Sequence, residues 1–327
     1  MLPGWDQWQQ ADGGLRGRIA AASTAPPMLF RIQHSLRYRY ERPVFLEPHT
    51  LRLTPRQEAG QRLIQHRLEV APEACGRSDS LDADGNSTTV LWFDDLRRDL
   101  ELTLTMEVET LRRNPFDWII TDPAVARLPL RYPPDTALSL GPFLRRQPQA
   151  EVEAGNKAGT EVEDPGGSVA SWAAEQAEAV GHNTPDFLLA LADAIHHGFH
   201  HVGRPEGEPL PPAETLRGRS GACRDTAMLY VEACRSQGLA ARFVSGYSMH
   251  HPPEVSEQEL HAWAEVYLPG GGWRAYDPSL GLAVADGHVV LATAPDHRQA
   301  APVSGSYRGT GVASSLDYRV LLSAEEA

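Results

Sequence analysis

The sequence predicts an α+β protein in which an antiparallel β domain precedes a domain of helices followed by strands. Three observations lead to this prediction. Short runs of alternating apolar and polar residues, separated by turn residues, fill positions 28–113, as expected for antiparallel strands with one buried face. Helical spacing of apolar residues dominates from Val169 to Gly238. Strand-like runs return with "ARFVSGYSM" at Ala241.

Length and composition fit two domains, because the chain has 327 residues of which 41% are hydrophobic. A Pro-rich connection and the aperiodic stretch "EVEAGNKAGTEVEDPGG" separate the two patterns. We therefore expect four segments, namely a disordered leader at 1–27, a β-rich N-terminal domain at 28–115, a connector with an acidic, Gly-rich loop at 116–168, and a core domain with C-terminal strands at 169–327.

The charge balance argues against two classes of partner. The formal net charge is −13, whereas nucleic acids and anionic membranes are bound through basic patches. No apolar run approaches the ~20 residues that cross a bilayer, and the first 27 residues lack the apolar core of a signal peptide. Three cysteines do not form a disulfide framework in so long a chain, so we expect a cytoplasmic protein.

Two helices carry the most informative residues of the second domain. The segment "TPDFLLALADAIHHGFHHV" predicts a helix with Thr184 as N-cap and Pro185 at the first helical position. The segment "GACRDTAMLYVEACRSQG" predicts another helix, for which Ser220 is the expected N-cap and Gly238 the expected end.

Two of the three cysteines, Cys223 and Cys234, lie on one apolar stripe of the second of these helices. Their separation of 11 residues corresponds to about 16 Å along the helix axis, too far for a disulfide or for a shared zinc ion. Cys223 falls in the first turn, where free N–H groups favour a thiolate. Cys234 falls in the last turn and is expected to be inert core filling.

A catalytic thiolate needs a base and a group that orients the base, and the downstream segment "LHAWAEVYLPGGGWRAYDPSLG" offers His261 and Asp277. In a hairpin with a four-residue loop, Asp277 lies opposite Ala264 and on the wrong face for His261. An odd-length loop or a one-residue bulge within the run of three glycines corrects the parity. The spacing allows His261 and Asp277 to meet but does not require it.

These motifs resemble the transglutaminase-like superfamily. The resemblance rests on "GACRD", "HAWAEV" and "GGWRAYDPS" and extends from about Phe187 to Leu282. The β-rich part, with "HSLRYRYERPV", "LRLTPR" and "DADGN", is similar to the N-terminal domain of bacterial transglutaminase-like proteins. The resemblance implies a papain-like catalytic core in which Cys223 is the nucleophile, His261 the general base and acid, and Asp277 the carboxylate that orients His261.

The implied activity is thiol acyl transfer on peptide or carboxamide bonds of a peptide or protein substrate, with no metal or organic cofactor. Hydrolysis makes the protein a cysteine peptidase or amidase, and transfer to an amine makes it a transglutaminase. A non-catalytic peptide-binding scaffold is the alternative of another class. The backbone N–H of Cys223 is one expected oxyanion donor. The second donor is open between Trp263 and the segment Phe199–His201, where "FHH" has His201 at a position that is often Tyr in relatives.

Four other features have a functional and a structural interpretation. The histidines of "HHGFHH" have metal-like i, i+4 spacing, but a solvated or packed cluster is favoured because no carboxylate motif completes the set. Asp225 is interpreted as a partner in a structural ion pair. Glu265 is either a polar group of the pocket or exposed to solvent. Cys75 lies in a loop-like stretch without a chemical partner in the sequence.

Overall fold

The computed structural model describes residues 27–146, 168–204, 207–250 and 260–327. The expected leader, apart from Pro27, and the loop at 151–167 lie outside the described residues. Within the described ranges, no helix is both long enough and apolar enough to span a bilayer.

The predicted antiparallel β domain is confirmed. It contains the six strands β1 (Met28–Leu46), β2 (His49–Leu51), β3 (Gln61–Ala71), β4 (Gly76–Leu81), β5 (Ser87–Trp92) and β6 (Leu96–Thr110). In β1, residues from Phe30 to Leu36 alternate between buried positions and positions that are exposed or half-buried, as the sequence pattern requires. Its buried side chains form one hydrophobic core with those of β6.

The second domain begins with helices and ends with a sheet. The helices are α1 (Pro134–Ser139), α2 (Gly141–Leu144), α3 (Val169–Ala179), α4 (Thr184–Gly198), α5 (Pro212–Gly218) and α6 (Cys223–Ser236), with the short parallel strands β7 (His200–His201) and β8 (Ser220–Gly221) among them. The five-stranded sheet has the order β12-β11-β10-β9-β13, formed by β9 (Ala241–Ser248), β10 (His261–Leu268), β11 (Gly272–Asp277), β12 (Leu282–Ala283) and β13 (His288–Ala294).

The end of the chain returns to the N-terminal domain, which the sequence-based boundaries do not anticipate. Three strands follow the second domain, namely β14 (Val303–Ser304), β15 (Tyr307–Arg308) and β16 (Ser314–Glu326). Strand β16 pairs with β1 from Met28 to Tyr40, and β14 and β15 pair with β2 and β1. Alternation along β16 predicts a strand, but it carries no information about the partner strand. The expected segment 169–327 is therefore wrong for these three strands, because they belong to the sheets of the N-terminal domain.

The connector is likewise part of the second domain's packing. Val125, Leu128, Leu130 and Tyr132 are buried in the same hydrophobic core as α4 and α6. The Tyr132 hydroxyl donates to the backbone oxygen of Tyr267 and accepts from the backbone N–H of Ala240.

Both predicted N-caps are wrong by one or two residues. Asn183, not Thr184, caps α4, because its side chain accepts a hydrogen bond from the N–H of Asp186 at 3.0 Å. Ala222, not Ser220, precedes α6, because Ser220 pairs with His200 in the short sheet. The predicted end at Gly238 is confirmed, because Gly238 follows the end of α6 at a φ of +79°. Helix α4 ends at Gly198.

Candidate active site

The β10–β11 hairpin decides which residues share a face with His261. Leu268 lies opposite Gly272, so the loop has three residues, and Ala264 lies opposite Tyr276. Gly270 and Gly272 have φ values of +90° and +68°, which favour glycine. This register continues so that Asp277 falls opposite Trp263, on the His261 face. The odd-length loop is thus the feature that corrects the parity.

The structure brings His261 and Asp277 into direct contact. Nε2 of His261 lies 2.6 Å from Oδ2 of Asp277, and their side chains are 9% and 0% exposed. The second carboxylate oxygen, Oδ1, accepts the Ser279 hydroxyl at 2.6 Å and the backbone N–H groups of Ser279 and Leu280 at 3.0 and 3.3 Å. Because Nε2 of His261 faces the carboxylate, Nδ1 is the nitrogen left for another partner.

Cys223 is a second side chain that forms a hydrogen bond with His261, and this bond favours the charged imidazole by raising its pKa. It is the first residue of α6 and is half-buried beside Ala227, Met228 and Ala262. Its position places the sulfur at the positive end of the helix dipole. The structure therefore brings together all three residues that the sequence analysis singled out for catalysis.

The segment leading into α6 is fixed by Asp225, which is fully buried. Its carboxylate accepts the N–H of Ala222 at 2.8 Å and that of Leu210 at 2.8 Å, and it pairs with the Arg204 guanidinium at 2.5 Å. Gly221 packs so closely that a Cβ there would lie 2.8 Å from that of Asp225. Asp225 thus forms the structural ion pair expected of it, and it orients the backbone around Cys223.

His261 and Asp277 each stabilise the charged form of the other. Burial opposes the charged imidazolium, but Asp277 and the Cys223 side chain outweigh it and raise the pKa of His261 to about 10. Burial likewise opposes the carboxylate, but His261 and His288 hold the pKa of Asp277 far below its ordinary value. At neutral pH the pair is an imidazolium and a carboxylate.

His288 is a site residue that the sequence analysis did not find. It begins β13, and its Nε2 lies 3.0 Å from Oδ2 of Asp277, the oxygen that His261 also contacts. The sequence offers a weak signal, a histidine that opens the apolar run "HVVLATA". Its partner stands on β11, which is separated from β13 by two strands, so local spacing does not reveal the contact.

His261, Asp277 and His288 also form the one group of three potential metal ligands within the described residues, with ligand atoms within 4.8 Å of one another. The two nitrogens that would bind an ion both point at Oδ2 of Asp277. In this arrangement the three side chains complete a hydrogen-bonded network with one another.

The remaining candidates have structural surroundings. In the "HHGFHH" cluster, Nδ1 of His196 lies 2.8 Å from the backbone oxygen of Ser279, and His197 pairs with Asp193. Each of these two histidines has its own partner, which agrees with a packed or solvated cluster. His196 also packs against Gly281 and so supports the turn after Asp277.

Glu265 is not exposed to solvent, which contradicts one of its two expected positions. It is buried in an ion pair with Arg242, whose Nε lies 2.7 Å from its Oε2. Cys75 is exposed, and Cys234 is fully buried, as expected for core filling. The Trp263 ring stacks against His261 with centroids 6.0 Å apart, and its Nε1 has no hydrogen-bond partner among the described residues.

Comparisons with known proteins agree with this fold. Residues 170–278 match the transglutaminase-like superfamily, and residues 30–109 match the bacterial transglutaminase-like N-terminal region. The fold and the sequence match define the class, a transglutaminase-like core preceded by an antiparallel β domain. The chain belongs to the transglutaminase-like superfamily and carries its bacterial N-terminal region.

Relatives of similar length exist in mycobacteria. An uncharacterised protein of Mycobacterium leprae is 28% identical over 298 residues, which cover 88% of this chain and 95% of that protein. An uncharacterised protein of Mycobacterium tuberculosis is 28% identical over 315 residues, covering 89% and 91%. Among solved structures, a candidate cysteine protease from Cytophaga hutchinsonii has a TM-score of 0.65 at 20% identity, covering 92% of each chain. At that identity the likeness shows a shared fold.

Proposed function

We propose that this protein is a thiol acyl-transfer enzyme, most simply a cysteine peptidase or amidase, with Cys223, His261 and Asp277 as its catalytic triad. The observation that carries the proposal is the buried 2.6 Å contact between His261 and Asp277 beside a cysteine at a helix N-terminus. A base oriented in this way activates a thiol by accepting its proton.

The positions of these three side chains lead to the following reaction. His261 holds the proton of the Cys223 thiol in a thiolate–imidazolium pair, and Asp277 stabilises the imidazolium. The thiolate attacks the carbonyl carbon of a peptide or carboxamide, and the backbone N–H of Cys223 stabilises the oxyanion. His261 then protonates the leaving amine as the C–N bond breaks, which leaves a thioester on Cys223. Water or an amine attacks the thioester and releases the thiol.

We favour water as the final nucleophile, and transfer to an amine is the second candidate. The match to the transglutaminase-like superfamily keeps transfer to an amine as a candidate. The structural relative from Cytophaga hutchinsonii is described as a candidate cysteine protease, which favours hydrolysis. The substrate in either case is a peptide or protein. The acidic net charge of −13 and the free cysteines favour a cytoplasmic protein that binds neither nucleic acid nor membrane.

A thiol-reactive peptide probe tests the proposal against a non-catalytic scaffold. We expect labelling at Cys223 that is lost in Cys223→Ala, whereas Cys75→Ser retains it as the matched control at an exposed cysteine. Turnover is then screened with a peptide library and with glutamine peptides plus an amine. Cys223→Ala should abolish turnover in either screen. Residual turnover above a few per cent, or an unlabelled Cys223 in the wild-type protein, would contradict the proposal.

Cys234→Ser checks the choice of cysteine. Cys234 is fully buried, and burial raises the pKa of its thiol well above the ordinary value. The serine variant should lose about 1–2 kcal/mol of stability through a buried hydroxyl, and it should keep its turnover. Loss of turnover at unchanged stability would identify Cys234 as the nucleophile instead.

A further inference from the structure

We propose that His288 is a positioning residue of this site, which donates its Nε2–H to Oδ2 of Asp277 and holds that oxygen in place for His261. The inference rests on the proposed function, because it concerns the same triad. It adds a fourth side chain that acts on the nucleophile only through Asp277 and His261.

The geometry of Asp277 gives His288 a specific role. Oδ1 is held by the turn that follows Asp277, through the hydroxyl and N–H of Ser279 and the N–H of Leu280. Oδ2 receives His261 at 2.6 Å and His288 at 3.0 Å. Among the described residues, His288 is therefore the donor that fixes Oδ2 independently of the catalytic base.

The surroundings determine the proton arrangement of His288. Burial lowers the pKa of His288, so its imidazole is neutral at physiological pH and carries one N–H. Because the carboxylate can only accept, that hydrogen lies on Nε2. The charged or titratable groups that face His288 are Asp277, His261 and His250. A neutral donor stabilises the carboxylate without adding a second positive charge beside the His261 imidazolium.

Packing on the sheet keeps the His288 ring in position. The ring packs edge-on against Trp263 with centroids 4.9 Å apart, and Trp263 in turn stacks on His261. Strand β9 lies between β10, which carries Trp263, and β13, which carries His288. It contributes Gly246, where a Cβ would lie 2.6 Å from the Trp263 ring. Trp263 thus packs against both histidines that share Asp277, and the two histidine rings lie 5.9 Å apart between their centroids.

The test compares His288→Leu, which removes the donor, with His288→Gln, whose amide nitrogen can replace Nε2. The probe is iodoacetamide, and the readout is the rate of Cys223 alkylation from pH 4 to pH 10, measured by peptide mass spectrometry. Without His288, Oδ2 of Asp277 is no longer held in place for His261, so the imidazolium that accompanies the reactive thiolate is less stabilised. We expect the pH at which reactivity falls on the acid side to rise by about one pH unit in His288→Leu and to return close to the wild-type value in His288→Gln.

The control variant is His197→Leu, which alters an exposed histidine paired with Asp193 and should leave the profile unchanged. An acid limb that is the same in wild type, His288→Leu and His288→Gln would overturn the inference while leaving the proposed function intact. If wild-type Cys223 instead shows only the reactivity of the exposed Cys75, the proposed function fails and the inference fails with it.

A second measurement does not depend on whether the variants fold. In the wild-type protein with ¹⁵N-labelled histidine, the ring of His288 should be the neutral Nε2–H tautomer between pH 7 and pH 8, with a slowly exchanging proton. A resonance showing the proton on Nδ1, with Nε2 bare, would overturn the inference.

Discussion

Nε2 of His261 and Oδ2 of Asp277 lie 2.6 Å apart, and every remaining acceptor position around that carboxylate faces a donor. Ser279 and Leu280 donate to Oδ1, and His288 donates to Oδ2. A side chain at position 277 must therefore accept hydrogen bonds on both sides. A carboxylate does so, whereas an amide has one accepting oxygen and one donating NH₂ group.

This saturation predicts that Asp277→Asn is nearly as damaging as Asp277→Ala. Whichever way the amide is placed, its NH₂ group meets either the Ser279 donors or the two histidines. We expect both variants to lower kcat by a factor of about ten to ten thousand, with little change in KM. Steady-state kinetics on the substrate from the library screen measures this. Asp117→Asn, at a half-exposed carboxylate that pairs with Arg274, is the matched control.

A wild-type turnover number in Asp277→Asn would show that the carboxylate does not orient His261. A variant that is as stable as wild type in urea unfolding would show that the hydrogen bonds around position 277 tolerate an amide. Both results together would exclude Asp277 from the site.

The pH dependence of stability should report the His261–Asp277 pair. The pKa of His261 is raised to about 10 from an ordinary value of 6.5, so its contribution is complete below about pH 6.5 and is lost as the pH rises through 10. The pKa of Asp277 is lowered, so its contribution is present above about pH 4 and is lost as the pH falls towards its folded value. The full contribution therefore spans about pH 4 to 6.5.

The measurement is the free energy of unfolding of wild type minus that of His261→Gln, from urea titrations at pH 5.5 to 10. The difference should shrink by up to about 4 kcal/mol across that range. Groups that titrate in both proteins cancel in the difference, and packing losses in the variant do not depend on pH. A difference that stays constant would contradict an ion-paired His261.

Much of this site could be predicted from local sequence, and the reason lies in how far each contact reaches along the chain. Cys223 is placed at a helix N-terminus by the apolar periodicity that follows it. The contact of His261 with Asp277 needed one further fact, the number of residues in the hairpin loop. The alternation of side chains shows which residues of two paired strands share a face only when the loop length is known. The three glycines allow several loop lengths.

His288 and β16 could not be predicted because their partners are set by tertiary structure. The pattern of β13 is a continuous apolar run that marks a buried strand without naming its neighbour. The 13 residues of β16 similarly alternate without revealing that they pair with β1, nearly 300 residues earlier in the chain. The ion pair of Glu265 could not be predicted for the same reason, since its partner Arg242 comes from the neighbouring strand β9.

Arg242 and Glu265 should behave as a buried structural pair, separate from catalysis. Nε of Arg242 lies 2.7 Å from Oε2 of Glu265, and its guanidinium lies over the Trp273 ring at 4.2 Å. Arg242→Met leaves a buried carboxylate without a partner and should cost about 3–5 kcal/mol. The double variant Arg242→Met/Glu265→Leu removes both charges and should recover most of that loss.

Urea unfolding of Arg242→Met, Glu265→Leu and the double variant measures the coupling between Arg242 and Glu265. Turnover by the double variant, where it folds, should stay within a factor of a few of wild type, because Glu265 has its own partner away from Asp277. A loss of turnover comparable with that of Asp277→Ala at retained stability would instead assign Glu265 to the site.

The N-terminal domain should stabilise the strand that carries His288. Strand β13 is at the edge of its sheet, and two buried side-chain amides of the N-terminal domain bind its backbone. Gln61 donates to the oxygen of Val290 and accepts from its N–H, both at 2.8 Å. Asn86 makes the same pair of hydrogen bonds with Thr293, at 2.9 and 2.8 Å. Each amide thus satisfies groups that a neighbouring strand would otherwise satisfy.

Replacing Gln61 should therefore leave the N–H of Val290 without a partner, while its C=O keeps the backbone N–H of Arg56 at 3.1 Å. Replacing Asn86 should remove the side-chain partner from both the N–H and the C=O of Thr293. Gln61→Leu and Asn86→Leu should each cost about 1–3 kcal/mol in urea unfolding, and the amides of Val290 and Thr293 should exchange hydrogen faster. Gln61→Glu keeps the acceptor for the Val290 N–H but loses the donor, so the exchange of that amide should remain slow at a comparable loss of stability. Gln65→Leu, at an exposed glutamine of the same strand, should change stability by less than about 0.5 kcal/mol. Equal stability of Gln61→Leu and Gln65→Leu, with unchanged exchange at Val290, would mean that the edge of β13 is held by its own sheet alone.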